Sequence, residues 1–269
     1  MPELPEMELY RIELSKYFIG QQITWVEINR EKSINVPVSQ FTEELLGSTI
    51  SGIRRRAKYI IFDLSSGKHL LLHLMLGGWM FIGNEHVSPE RTKQVILTFG
   101  NTKLFFIGLR LGYLHLLTSE ELHKKLSVLG PEPFDPEFQL EDFKERLSKK
   151  RGVLKSILID PKFIAGIGNC YSDEICFEAR LRTTNKAADL SEGQVISLFS
   201  SIKPTLSRAI QIGGYMDYPL YQNDKKTGSY NDHFLVYECE NLPCKRCGTL
   251  IKRIEISSRK SFYCPGCQE

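Results

Sequence analysis

The chain has 269 residues, with 35 basic against 32 acidic side chains and a formal charge of +3, so it is long enough for two ordinary domains, each with its own core. A charge this mild excludes a uniformly basic nucleic-acid binder; any such surface must be a local concentration of cations. No apolar run approaches the ~20 residues that span a bilayer, no signal peptide is present, and the seven cysteines suit a reducing compartment better than a disulfide framework, so a cytoplasmic protein is expected.

The chain opens Met-Pro-Glu-Leu-Pro-Glu. A residue as small as Pro2 lets the initiator methionine be trimmed, which would leave the Pro2 nitrogen as a free secondary amine. An α-amino group titrates near ~8, so much of it is an unprotonated nucleophile at neutral pH. Beside it, the Glu3 carboxyl could protonate a sugar oxygen. Taken alone, the plainer reading, in which Pro2 and Pro5 stiffen an exposed terminus, is the better one. Met7, Tyr10, Leu14, Tyr17 and Phe18 then recur at helical spacing, with Gly20 placed to end the helix.

From Ile23 to Leu117 the pattern changes to short β-like runs separated by turn signals, which favours a β-sandwich. The runs are 23–28, 50–56, 59–64, 70–76, 95–99, 103–106 and 113–116, with a short helix near 41–46. Strand alternation sends Arg54, Arg56 and Lys58 to one face, a row of cations that suits phosphates or equally guards a solvated edge. Pro131, Pro133 and Pro136 break the pattern, which marks a linker at 130–137 after a first domain of 1–129.

Beyond the linker the period is helical at 140–147, 153–159, 171–179 and 195–210, giving a second domain over 138–232. Between two of these helices lies Gly166-Ile167-Gly168-Asn169, where a glycine turn before a helix N-terminus could hold an anion or simply turn the chain. Cys244-x-x-Cys247 and Cys264-x-x-Cys267, sixteen residues apart, have the spacing of a closed four-cysteine zinc site in a terminal segment of 233–269. One structural zinc is expected and no other cofactor. The residues between the cysteine pairs read as a β-hairpin with Arg259 and Lys260 near its tip.

Taken together, Pro-Glu-Leu-Pro-Glu with Arg11, the run Arg54-Arg55-Arg56-Ala57-Lys58-Tyr59, Gly-Ile-Gly-Asn169 and the four cysteines resemble the formamidopyrimidine-DNA glycosylase and endonuclease VIII family. The likeness covers the whole chain. It implies an α+β protein: an N-terminal β-sandwich with a terminal helix, a helix-two-turn-helix domain and a zinc hairpin. The implied activity is base excision with AP lyase cleavage, on double-stranded DNA carrying damaged bases or abasic sites, by a nucleoid-associated monomer. It assigns catalysis to Pro2 and Glu3, elimination to Lys58 and Arg259, and electrostatic support to Glu6. DNA phosphate contacts fall to Asn169, Arg110 and Arg151, with Lys155 also near the DNA.

The chain departs from the family at the residues that fill the gap behind an extruded base. Family members carry Met, Arg and Phe there, and this chain has Leu76, Leu109 and Leu111. Leucine can wedge between bases but has no donor with which to read one. Gly213-Gly214 matches the family's lesion-capping loop, whereas Tyr215-Met216-Asp217-Tyr218 is unusually aromatic, suited to stacking on a base or to packing the loop itself. Ser258 replaces the family glycine before Arg259. Two competing readings are a non-catalytic or abasic-site-restricted binder of damaged DNA, motivated by the altered wedge, and a zinc-containing transcription regulator, which leaves the N-terminal motif unexplained.

Overall fold

The computed structural model describes residues 1–269, and these fall into two compact units. Unit 1 comprises residues 1–128 and 213–229, and unit 2 comprises residues 129–212 and 230–269.

Unit 1 begins with α1 (Leu4–Phe18), then β1 (Trp25–Ile28), α2 (Val38–Leu45), β2 (Ile50–Arg56), β3 (Tyr59–Leu64), β4 (His69–His73), β5 (Trp79–Gly83), β6 (Lys93–Phe99), β7 (Thr102–Ile107), β8 (Tyr113–Leu117) and α3 (Ser119–Leu126). The strands form two antiparallel four-stranded sheets, ordered β1-β6-β7-β5 and β2-β3-β4-β8. Alternation explains the sandwich. Ile60 and Phe62 on β3, Leu70 and Leu72 on β4, and Leu114 and Leu116 on β8 share one core with Met80, Ile82, Val95, Leu97, Leu104 and Phe106 of the other sheet. Phe62 and Phe106 meet edge-on at 6.4 Å. The other face of β3 and β4 is also apolar, and Ile61 and Leu71 pack with Leu122 of α3.

Helix α1 lays Met7, Tyr10, Leu14 and Phe18 into the sandwich core, and fully burying each such side chain is worth roughly 1.5–3 kcal/mol. Its first turn is thereby fixed to a rigid body. Gly20, in the left-handed region at φ +81, follows the helix as its spacing predicts.

Three details differ from the sequence reading. The run expected at 70–76 ends at His73, because Met75 and Gly77 take φ of +52 and +83 and turn the chain into a separate strand, β5. Helix α3 was not expected; its start is set by Thr118 and Glu121 in a reciprocal capping box. The expected domain bounds are also redrawn. Residues 213–229 belong to unit 1, where Leu220 is fully buried in the core and Ile82 N–H donates to the Leu220 carbonyl at 2.7 Å. The 130–137 segment is part of unit 2: Gly130 N–H reaches the Pro161 carbonyl at 2.8 Å, and the Pro131 carbonyl accepts from Ala165 N–H at 2.9 Å.

Unit 2 contains α4 (Leu140–Ser148), α5 (Leu154–Leu158), α6 (Asn169–Glu178), α7 (Glu192–Ile212) and a hairpin of β9 (Lys252–Ile256) and β10 (Arg259–Tyr263). Helix α6 is buried from Cys170 to Phe177, so Asp173 and Glu174 are carboxyls inside a core. The Glu174 carboxylate compensates by accepting the N–H groups of Leu235, Val236 and Tyr237 at 2.9–3.1 Å.

Candidate active site and nucleic-acid interface

The N-terminal motif is organised by Glu6. Its carboxylate is fully buried; one oxygen accepts the Glu3 N–H at 2.8 Å and the other accepts the Tyr215 N–H at 3.0 Å. A single side chain therefore fixes the expected acid, Glu3, and the start of the loop after α7. Gly214 makes that approach workable: its φ is +62, and a Cβ there would lie 2.6 Å from the Glu6 carboxylate. The Tyr215 hydroxyl in turn donates toward Glu3 Oε1 at 3.1 Å and the Met1 carbonyl at 2.8 Å.

Pro2 is buried and lines a small cleft with Gly77, Gly78, Trp79, Met216 and Tyr218. Trp79 and Tyr218 stack face to face, with centroids 4.4 Å apart and planes inclined by 19°. A neighbouring cleft of about 370 Å³ shares that stack and adds Leu76, Arg91, Gln94 and Arg110. The aromatic loop thus packs on the sheet through Tyr218 and also borders the Pro2 cleft.

Lys58 is not on a strand. It occupies the tight β2–β3 turn after Ala57, whose φ is +53, so alternation does not place it in one row with Arg54 and Arg56. Arg54 forms a two-pronged pair with Asp63, at 2.6 and 2.7 Å. Arg55 and Arg11 both bind Glu8, at 2.8 and 2.6 Å; burial pushes the Glu8 carboxyl up, but the two guanidiniums outweigh it and hold the carboxyl below its ordinary range. His73 lies between the rings of Tyr59 and Tyr113, at 4.6 and 5.8 Å. Burial, reinforced by Lys58 and Lys125, lowers its pKa to about 4, so it is neutral at physiological pH.

The expected wedge is only partly presented. Leu76 and Leu111 are 66% and 62% exposed, on loops that dock through glycine. A Cβ on Gly108 would lie 2.1 Å from the Gly77 carbonyl, and one on Gly112 would lie 2.6 Å from the carbonyls of His73 and Leu74. Leu109 is 0% exposed and belongs to the sandwich core, so it does not face a partner as a wedge must. The cause is local: Gln94 accepts the Leu109 N–H, and Arg30 binds the carbonyls of Leu109 and Arg110, which turns the leucine inward. Arg110 is exposed.

In unit 2, Asn169 opens α6 just after Gly168, and its Oδ1 has no hydrogen-bond partner. Arg151 and Arg259 are exposed. Ser257 and Ser258 both take left-handed conformations, φ +50 and +59, so the hairpin tip keeps a turn of the glycine-requiring kind without glycine. Lys155, expected near DNA, is 0% exposed. Its ammonium donates to Asp173 and to the Asn169 carbonyl, both at 2.6 Å. Asp173 also accepts from the Ser261 hydroxyl at 2.8 Å and the Phe262 N–H at 2.9 Å. Burial pushes the Asp173 carboxyl up to about 6 against the opposing pull of Lys155. This buried pair joins the Asn169 turn to the strand that carries Arg259. The only trace in the sequence was a pair of carboxyls, Asp173-Glu174, inside an apolar helical pattern.

The Sγ atoms of Cys244, Cys247, Cys264 and Cys267 all lie within 4.8 Å of one another, several of them at 3.3–3.5 Å. Four sulfurs about 2.3 Å from a central ion span edges of this order, so the cluster fits a tetrahedral zinc with no open position. No helix of the protein is long and apolar enough to cross a membrane.

Comparison with known proteins agrees along the whole length. Family models match for the formamidopyrimidine-DNA glycosylase N-terminal domain over residues 1–113, the H2TH domain of the same enzymes over 129–217, and the zinc finger found in FPG and IleRS over 241–269. Formamidopyrimidine-DNA glycosylases of Listeria monocytogenes and Roseobacter denitrificans are 33% and 35% identical, with all of this chain and all of each relative covered. Among solved structures, a complex of Lactococcus lactis Fpg with DNA containing an abasic site superposes with a TM-score of 0.93 at 30% identity, covering 99% of both chains. A complex of the wild-type Lactococcus lactis enzyme with DNA containing an oxidised pyrimidine gives 0.92 at 30% identity over 100% of both.

Proposed function

Because this chain belongs to the formamidopyrimidine-DNA glycosylase family, we propose that the family's reaction runs here on Pro2 and Glu3, with Lys58 and Arg259 as later participants. The protein is a base-excision-repair DNA glycosylase with AP lyase activity, and it takes one structural zinc on Cys244, Cys247, Cys264 and Cys267. The assignment of residues is carried by one observation: Glu6 holds the main chain of Glu3 at a fixed point beside a buried Pro2.

Removal of Met1 frees the Pro2 nitrogen, whose lone pair attacks C1′ of the damaged nucleotide. The base leaves with the electron pair of its glycosidic bond and takes up the Pro2 N–H proton. Glu3 gives its proton to the ring oxygen as the C1′–O bond opens, which leaves an iminium between Pro2 and C1′. The iminium acidifies the C2′ proton, and β-elimination follows with Lys58 assisting. Arg259 assists a second elimination. Phosphate contacts from Arg110, Arg151 and Asn169 hold the duplex in register without reading sequence. Leu76 and Leu111 fill the gap behind the extruded base. A reducing, DNA-containing compartment fits both the substrate and a four-thiolate zinc site.

The test is borohydride trapping on a duplex with one abasic site, after intact mass has shown that Met1 is absent. A covalent protein–DNA adduct through residue 2 is expected. Processed protein that forms no adduct while still binding the duplex overturns the assignment of Pro2 and favours an abasic-site binder with a leucine wedge.

A further inference from the structure

We propose that Tyr215 is a positioning residue for base excision: its phenol donates to the Glu3 carboxyl and strengthens that bond as Glu3 gives up its proton. The inference rests on the roles of Pro2 and Glu3 stated above.

The phenol oxygen is 3.1 Å from Glu3 Oε1 and 2.8 Å from the Met1 carbonyl oxygen. The Met1 carbonyl carbon is bonded directly to the Pro2 nitrogen, so the same hydroxyl reaches both the acid and the immediate neighbourhood of the nucleophile. A phenol has one proton to donate. While Met1 is attached, its carbonyl competes with Glu3 for that proton; removal of Met1 takes that competitor away.

The placement is built from the main chain outward. Tyr215 N–H is held by the oxygen of Glu6 that does not hold Glu3 N–H, so residues 3 and 215 are anchored to opposite sides of one buried carboxylate. Gly214 has no Cβ to hold the loop off that carboxylate, so the Tyr215 N–H can reach it. A hydroxyl held by such a frame meets its acceptor without reorganising.

A hydroxyl bonds more strongly to a carboxylate than to a neutral carboxylic acid. Glu3 enters the reaction protonated and leaves it ionised, so the Tyr215 bond tightens toward the transition state and stabilises it more than the ground state. The phenol keeps its own proton throughout.

The experiment is single-turnover excision from a damaged duplex as a function of pH, for the processed zinc-loaded enzyme, for Tyr215→Phe and for the protein with 3-fluorotyrosine at position 215. The rate at each pH reads how readily the proton is handed to the ring oxygen. Tyr215→Phe should lower the limiting rate about tenfold at unchanged DNA affinity, the size of a lost hydrogen bond to a charged group, and move the alkaline limb of the profile upward. The fluorinated residue, a stronger donor, should move the limb the other way. A purely structural role would not produce this graded, opposite response. If Tyr215→Phe does not fold, the fluorinated protein decides by itself. Superimposable profiles for the folded variants, in an enzyme that borohydride traps on abasic DNA, overturn the role of Tyr215 alone. A wild-type enzyme that cannot be trapped removes the Pro2 chemistry and this inference with it.

Discussion

Leu109 shows how a side chain's role depends on a few local hydrogen bonds. Its neighbours Leu76 and Leu111 are exposed, while Leu109 is drawn into the core by contacts from Gln94 and Arg30 to its backbone. What remains at the surface is two aliphatic groups that fill space and offer no donor to an orphaned base. A bidentate side-chain contact to a base edge is worth roughly 1–3 kcal/mol, or about five- to more than a hundredfold in discrimination. Single-turnover excision should therefore vary little with the opposing base. Abasic sites and poorly stacked lesions, which cost least to extrude, should be the best substrates. Rates measured opposite C, A, G and T at one salt concentration test this; a preference for one base above about tenfold, the size of one direct contact, would show that another side chain reads it.

Among the elements, α6 carries the most consequence, because its buried Asp173 and Lys155 of α5 form one charged centre on which the Asn169 turn and β10 both depend. Such a pair is weak evidence for net stability, but breaking it leaves an uncompensated buried charge. Asp173→Ala should cost about 3–5 kcal/mol of unfolding free energy and weaken DNA binding by loosening the strand that carries Arg259. Lys155→Met combined with Asp173→Leu should restore much of the stability, because neither member of the pair is then left as an uncompensated buried charge. Denaturant unfolding of the zinc-loaded variants measures both. A loss of under about 1 kcal/mol in the single variant, the value of an exposed pair, would mean that water reaches the site and the pair holds nothing together.

At the scale of the whole molecule the formal charge is only +3, so affinity for DNA must come from a few placed cations in each unit. Lys58 of unit 1 and Arg259 of unit 2 are, by the family resemblance, proposed to contact phosphates of the DNA backbone as well as to assist elimination. Replacing either with alanine should weaken binding to all duplexes alike and reduce the slope of log affinity against log salt by about 0.9. Titrations at several salt concentrations check it, and a variant that changed lesion preference with an unaltered slope would remove that residue from the phosphate contacts. Much of this architecture was legible in the chain itself. Alternation marked the sandwich strands, the 3.6-residue period marked the helices of unit 2, and cysteine spacing marked the zinc ligands, because each is a local pattern set by backbone geometry. Partnership was not legible. Tyr215 meets Glu6 across 209 positions of sequence, and Lys155, which reads as a surface cation, is buried against Asp173. Local residue order fixes which way side chains alternate and where turns fall, whereas burial and hydrogen-bond partners depend on segments distant in sequence, which only the folded chain brings together.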